Sequence, residues 1–438
     1  MKYFYLTIAA FLAVVGSVQA QQSPNKARSG SVYSYLGLGA PIDYRSSAAE
    51  GMGMSGVALY DDYVPGLANP AYWGNTVYTT ATGGVFFQNY DARDNNGHAK
   101  NSLISASQFQ LVLPLKRNRV GLSLSLSPLT RSNFKVVDQT VLPPALNNGR
   151  DTLAYSIQNQ GDGGLNRLEL GIGVRIYKNI SIGYAPSLIY GPLQNNLKVH
   201  FVSFDPNVTY NDITYDQTTT NIGFGNRFGV YGTQRKIFSK KDALSFGAAV
   251  SLPINLKSER YIESDRALGQ SVKTFRLKDK DAFGTGDIRY PMEVMAGLQY
   301  EFNPALGVGT ELLYQNWSDY TNFDGNQEAY MTDRYKIALG ARYRPFMKRV
   351  DTFFSHFKYR LGASYDSGYL KLNGQQIETL KLSAGLGILS PRNRSSVDIS
   401  LEYGIRGTRS QNLVKENIWG LRLSINLAEL MFYRPKLQ

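Results

Sequence analysis

Between Val120 and Ser127 the chain changes character at every residue. Leu122, Leu124 and Leu126 fall on one parity, and Gly121, Ser123, Ser125 and Ser127 on the other. Successive side chains of a strand point to opposite faces, so the pattern predicts a strand with one greasy face and one small, polar face. The run before it places Phe109, Leu111, Leu113 and Leu115 against Gln108 and Gln110. Only Lys116-Arg117-Asn118-Arg119 separates the two runs, which predicts a hairpin.

The same rhythm returns to the end of the chain. Leu168, Leu170, Ile172, Val174 and Ile176 oppose Arg167, Glu169, Gly171, Gly173 and Arg175, and Tyr177-Lys178-Asn179 turns the chain. Similar runs occupy 244–252, 292–302, 306–314, 335–343, 357–365, 380–388, 397–403 and 419–427. The series predicts about fourteen strands, an even number as in single-chain outer-membrane barrels. Short connections fall near 116–119, 177–179, 303–304 and 390–396, and long polar ones near 130–164, 192–216, 258–287 and 318–332. Two further outer connections, near 368–375 and 407–415, are brief, and Asn373-Gly374 marks a hairpin turn in the first. Short periplasmic turns with longer external loops are the expected asymmetry. Aromatics on the greasy parity agree with it. Tyr190, Tyr314, Tyr335, Tyr365, Tyr403 and Trp419 lie at the outer strand ends, and Tyr300, Phe302, Tyr343, Phe357 and Tyr359 at the periplasmic ends. A soluble β-sandwich also alternates, but its strands are usually shorter and its edges need protection. The expected fold is therefore all-β, a transmembrane antiparallel barrel closed because lipid tolerates no free edge.

The first part of the chain reads differently. Met1 to Ala20 has Lys2, an apolar run from Phe4 to Val15 and Val18-Gln19-Ala20, the pattern of a secretory signal. Residues 21–74 form a leader and a compact segment rich in glycine, which predicts a hatch plugging a barrel of residues 75–438. Gly51, Gly53 and Gly56 spell the dinucleotide fingerprint, yet no strand precedes them, Pro65 and Pro70 follow, and no acid stands between Tyr72 and Thr80. Without that context the motif carries no nucleotide site.

Composition narrows the chemistry. No cysteine occurs, which excludes disulfides, thiol catalysis and a cysteine-linked lipid anchor. The formal net charge of +13 suits loops beside anionic lipid headgroups on an exported chain, with no nucleic-acid partner expected. The three histidines, His98, His200 and His356, share no metal-ligand spacing. No serine has a histidine at usable register, so no catalytic residue, metal or cofactor is expected. Charges on the inner parity stand out: Arg167, Glu169, Arg175, Lys336, Arg342, Arg360, Glu402 and Arg422, with Glu293, Glu301, Glu311, Lys358, Lys381 and Asp398. Buried charges need partners, so they predict a network bracing barrel and plug, or alternatively a polar conduit or a grip on a carboxylate. Pro128 ends one alternation; lacking a ladder donor, it marks either the strand end or a bend that opens the wall sideways.

Gly51 to Gly56, Asp61-Asp62 and then Asn69-Pro70-Ala71 resemble the hatch of the FadL/TodX family of outer-membrane transporters for hydrophobic compounds. Tyr33-Ser34-Tyr35-Leu36-Gly37-Leu38-Gly39, Gly161 to Arg167 and Leu423 to Arg434 are similar to Bacteroidota members of that group. The ending Arg434-Pro435-Lys436-Leu437-Gln438 departs from a strand-terminal aromatic, with Phe432 or Tyr433 standing in. The resemblance implies fourteen strands, a luminal hatch, an outer-membrane location and passive uptake of hydrophobic small molecules such as long-chain fatty acids. Expected partners are outer-membrane lipid and lipopolysaccharide and a hydrophobic ligand. The other function it allows is an accessory or scaffold barrel of an outer-membrane machine such as the type IX secretion system. Asn69-Pro70-Ala71 is then either a movable gate or a proline-fixed turn that packs the hatch.

Overall fold

The computed structural model describes residues 30–59, 66–142, 153–203, 212–268, 271–277, 284–345, 353–390 and 395–430. The signal-like residues and the chain end after 430 lie outside these ranges.

Fourteen antiparallel strands close into one barrel. They are β1 (Thr79–Arg93), β2 (His98–Lys116), β3 (Val120–Pro128, resuming as Phe134–Leu142) and β4 (Leu153–Gly163 and Asn166–Arg175). Then follow β5 (Ile180–Ser203), β6 (Ile213–Arg235), β7 (Ala243–Ser251 and Ile254–Leu268) and β8 (Ser271–Leu277, Thr285–Tyr290 and Glu293–Glu301). The rest are β9 (Leu306–Gln315), β10 (Arg334–Tyr343), β11 (Phe357–Asp366), β12 (Thr379–Leu389), β13 (Ser396–Arg406) and β14 (Lys415–Glu429). Closure is made by β1, which pairs with β2 on one side and with β14 on the other. No sheet edge then faces lipid, where an unpaired backbone group costs several kcal/mol, on the order of the transfer penalty.

The alternation sorts the two faces. On β12, Leu380 and Leu382 are more than half exposed while Ser383 is buried; on β13, Leu401 is exposed while Glu402 and Ser400 are buried. Aromatic pairs gather at both ends of the outer surface. Tyr403 and Trp419 lie 4.5 Å apart and Tyr314 and Tyr335 5.1 Å apart at one end. Tyr300 and Phe302 lie 4.8 Å apart at the other, near Tyr343 and Tyr359. These are the two interfacial girdles of an outer-membrane barrel.

One expectation fails in an informative way. Residues 130–164, 192–216 and 258–287 read as polar loops, but most of them continue the strands, so that β5 spans 24 residues and β6 spans 23. Thr214 to Gly223 pair with Leu256 to Asp265 in register. Above the membrane both faces meet water, so pairing no longer demands a greasy parity, and the alternation disappears while the ladder persists. The stretch 318–332 remains a connection, opening with the short helical turn Trp317–Asp319. Asn373 and Gly374 both have positive φ, at 51° and 79°, and join a two-residue hairpin, Lys371–Leu372 with Gln375–Gln376.

Candidate functional site

The N-terminal segment runs down the bore before β1 begins. Near the outer mouth the Ser31 hydroxyl and the Val32 amide each donate to the Glu416 carboxylate at 2.8 Å. The Tyr33 hydroxyl donates to the Val414 carbonyl at 2.5 Å. Tyr33 and Leu38 then pack into a buried apolar cluster with Trp317, Tyr320, Met331 and Tyr369, the last 4.7 Å from Trp317 between ring centroids. This upper part of the bore is filled by the protein's own side chains.

Below it the segment meets charge. The Asp43 carboxylate accepts from Arg334 at 2.8 Å and from Lys336 at 2.6 Å. Burial pushes that carboxyl up, but the charges of Arg334, Lys336 and Arg45 more than reverse this and hold it well below the usual carboxylate range. Arg334 also grips Asp366 at 2.6 Å, and Arg45 pairs with Glu402. Glu402 is shared with Arg422 at 3.5 Å, which in turn reaches Glu50 at 3.9 Å. Burial raises the Glu50 carboxyl, with Arg422 and Arg45 opposing. One turn of helix, Ser47–Glu50, sits here, capped by the Ser46 hydroxyl accepting from the Ala49 amide at 3.1 Å.

The next contact is the most directional. After that turn Gly53 and Gly56 adopt φ of +67° and +90°, a region closed to most residues, and the backbone curls so that three consecutive N–H groups point outward. Ser55, Gly56 and Val57 donate to the Glu311 carboxylate of β9 at 2.8, 2.8 and 3.1 Å. Such a nest of amides is a natural anion cradle, and here the barrel wall supplies the anion.

At the lower end Asn69 caps the short helical turn Pro70–Asn75 and ties it to the wall. Its side-chain oxygen accepts from the Ala71 amide at 3.0 Å, and its amide nitrogen donates to the carbonyls of Val57 at 3.0 Å and Val230 at 2.9 Å. The Trp73 indole donates to the Gly66 carbonyl at 3.0 Å. The wall opposite is stripped of side chains. A methyl added at Gly183 would meet Pro70 and Ala71, at Gly229 Asn69 and Pro70, at Gly247 Val57, and at Gly362 Met52. The inward glycines that alternation reads as merely small are the places where plug backbone touches barrel backbone.

Most residues singled out from sequence can now be placed. Gly51, Gly53, Gly56, Asn69, Pro70 and Ala71 are buried in the bore, while Asp61 and Asp62 lie outside the described residues. Arg167, Glu169, Lys336, Arg360, Glu402 and Arg422 are buried and face inward. Arg360 pairs with Asp398 and Arg342 with Glu301, both within the wall, and Arg175 donates to Asn75 at 2.7 Å. His98 and His200 face Asp91 and Asp212 at 3.0 and 2.6 Å on exposed strand ends, acidic neighbours that lie seven and twelve residues away and so were not evident from spacing. No cluster of metal-ligating side chains occurs among the described residues.

Sequence reasoning missed Arg227, which is 1% exposed. It pairs with Glu169 at 3.1 Å, donates to the Leu67 and Ala68 carbonyls at 2.9 and 2.6 Å, and stacks 3.9 Å from the Tyr44 ring centroid. Arg167 covers the same ring at 3.3 Å. The signal was present: Phe224, Phe228 and Val230 alternate with Gly225, Arg227 and Gly229. Asp43, Arg45 and Glu50 were missed because a plug without periodicity offers no parity to read, whereas Arg334, the first residue of β10, shares the inward parity of Lys336 but stands just before the run 335–343 that alternation marks.

The spaces left between plug and wall are small. One, of about 100 Å³, lies between residues 30–45 and the wall and is bordered by Arg45, Arg334, Lys336, Lys381 and Arg422. Others near Tyr44 and Tyr369 measure about 20 and 40 Å³. A larger concavity of about 980 Å³ lies outside the bore, on the lipid face, among Leu298, Leu339, Leu361, Leu382, Leu401 and Trp419.

A closed, plugged barrel of fourteen strands, greasy outside and charged within, is a multi-pass protein of the outer membrane. It has the fold of the outer-membrane hydrophobic-compound channels. A Pseudomonas aeruginosa FadL homologue superposes with a TM-score of 0.55 at 14% identity, covering 89% of this chain and 99% of that one. The Ralstonia pickettii toluene transporter TbuX and the CymD monoaromatic hydrocarbon channel each give 0.54 at 14% identity, covering 89% of this chain and 98% of theirs. The chain belongs to the BamG family, whose model matches residues 1–438. No curated protein matches it in sequence.

Proposed function

We propose that this chain is an accessory barrel of an envelope assembly, a fixed and sealed member of the outer membrane that works by holding partners rather than by passing solutes. The observation that carries this reading is the filled bore. A site for an organic ligand usually takes roughly 300–1,000 Å³ lined by apolar groups, whereas the cavities described inside this wall reach about 100 Å³ and are bordered by charge. The plug is also held at four levels, by Glu416, by the Asp43 and Arg45 ion pairs, by Glu311 and by Asn69. Shifting it breaks all of them together. A secretion or insertion machine of the outer membrane, including the type IX system, fits as the host assembly.

A second reading, passive uptake of hydrophobic compounds as in the toluene and hydrocarbon channels of the same fold, draws on a different observation. Strand β3 is interrupted between Pro128 and Phe134, and Ala40–Pro41 of the plug pairs with Thr130–Arg131 in that gap. Withdrawal of Ala40–Pro41 would leave an opening through the wall toward lipid. Two measurements separate the readings. Uptake of labelled long-chain fatty acid and of toluene by cells with and without the gene is expected to be equal, and affinity-tagged chain is expected to bring down a stoichiometric outer-membrane partner. Gene-dependent uptake together with a chain purifying alone would overturn the accessory reading in favour of the channel.

A further inference from the structure

We propose that the cavity of about 100 Å³ between residues 30–45 and the wall is a binding site for a small oxyanion, with Lys381 as its anchoring charge. Around this cavity the strand cations Arg334, Lys336, Arg406 and Arg422 have carboxylates in reach, and Arg131 in the gap of β3 reaches the Ser105 hydroxyl at 3.4 Å. Arg334 and Lys336 hold Asp43, and Arg422 approaches Glu402 at 3.5 Å. Lys381 does not. Its cross-strand neighbours are Ser364 on β11 and Gly404 on β13, neither of which carries charge. Among the described residues no carboxylate lies within ion-pair distance of its ammonium. Glu402, the acid nearest in electrostatic terms, is already taken by Arg45 and Arg422. Lys381 is half-buried, and an ammonium held partly out of water without a counter-charge is unfavourable.

The surroundings suit an anion and exclude a large one. Arg406 reaches the Ser31 and Thr379 hydroxyls at 3.0 and 3.1 Å on the same side of the cavity, and the Ser364 hydroxyl borders it. Phe86 and Ile418 close another side with apolar surface. Water occupies about 30 Å³ per molecule in the liquid, so the space matches a few waters or one tetrahedral or planar oxyanion. An acyl chain does not fit. The class is therefore phosphate, sulfate or a short carboxylate, and its oxygens would complete the charge balance between plug and wall.

The test uses the full chain purified in detergent, with thermal unfolding followed against inorganic phosphate at constant ionic strength made up with chloride. Wild type is expected to show a saturable rise in midpoint, as for any ligand that binds only the folded state. Lys381→Met is expected to weaken the apparent affinity about ten- to a hundredfold, the worth of one charge-assisted hydrogen bond. Lys381→Arg should keep most of the response, and Arg175→Gln, at the far end of the bore, all of it. Acetate and sulfate arms rank the class. Absence of a saturable effect in wild type overturns the proposal, as does an undiminished response in folded Lys381→Met. Should that variant not fold, the wild-type titration and Lys381→Arg decide.

Discussion

Replacing Glu311 isolates the strongest single tie between plug and wall. Its carboxylate accepts three backbone N–H groups, at 2.8, 2.8 and 3.1 Å, and is 4% exposed. Glu311→Ala leaves all three donors buried without an acceptor, at about 1–3 kcal/mol each if the segment stays in place. The segment therefore loosens until water reaches those amides, and the expected loss is about 3 kcal/mol or more, taking the low end for each. Glu311→Gln keeps the shape but turns one acceptor into a donor that faces an N–H, so about half that loss is expected. The assay is amide hydrogen exchange of Ser55, Gly56 and Val57, which reads local opening separately from global unfolding. A loss of about 3 kcal/mol corresponds to exchange faster by about a hundredfold. Amides in β9 and β10 should hardly change, since the ladder is intact. Unchanged protection at 55–57 in Glu311→Ala would refute the idea that this carboxylate holds the plug.

Other substitutions probe the remaining levels. Asn69→Ala removes three hydrogen bonds at once and should destabilise residues 66–75 by about 2–3 kcal/mol, read by the same exchange experiment. Gly362→Ala drives a methyl into the Met52 backbone, so protease sensitivity of residues 46–59 should rise while heat-modifiable gel mobility still reports a folded barrel. Asp43→Asn and Glu50→Gln should act oppositely at pH 7: the first removes a carboxylate whose pKa is depressed by three cations and lowers the unfolding midpoint, and the second neutralises one whose pKa is raised by burial and leaves the midpoint equal or higher. Because the Asp43 pKa is lowered, its contribution is complete above the unfolded value near 3.8 and fades only as pH falls toward the folded value. Acid titration of wild type against Asp43→Asn should therefore show their midpoints converging only below about pH 4.

The wall was legible because lipid imposes a strict rule on it. At every membrane-spanning position one parity must be greasy, and Leu339, Leu361 and Leu401 obey it with about 60% of their surface exposed. Where lipid ends the rule ends, which is why the outer parts of β3, β4, β5 and β7, within 130–164, 192–216 and 258–287, read as loops. The inner charges were also legible by parity, but their partners were not. Glu311 reads as a wall acid like Glu293 or Glu301, and nothing in its neighbours along the chain announces that its acceptors serve Ser55, Gly56 and Val57, more than 250 residues earlier.

Read alone, the chain determined a closed fourteen-strand cylinder, its two aromatic girdles and the inward set of charges, because a period of two needs only neighbours in sequence to express it. Tertiary structure alone decided what the bore contains. The pairing of Asp43 with Arg334 and Lys336, the clasp of Arg227 on Leu67 and Ala68, and the isolation of Lys381 all depend on how an aperiodic segment lies against fourteen strands. Such contacts are set by three-dimensional fit and charge compensation in a space with little water, and no local pattern encodes them.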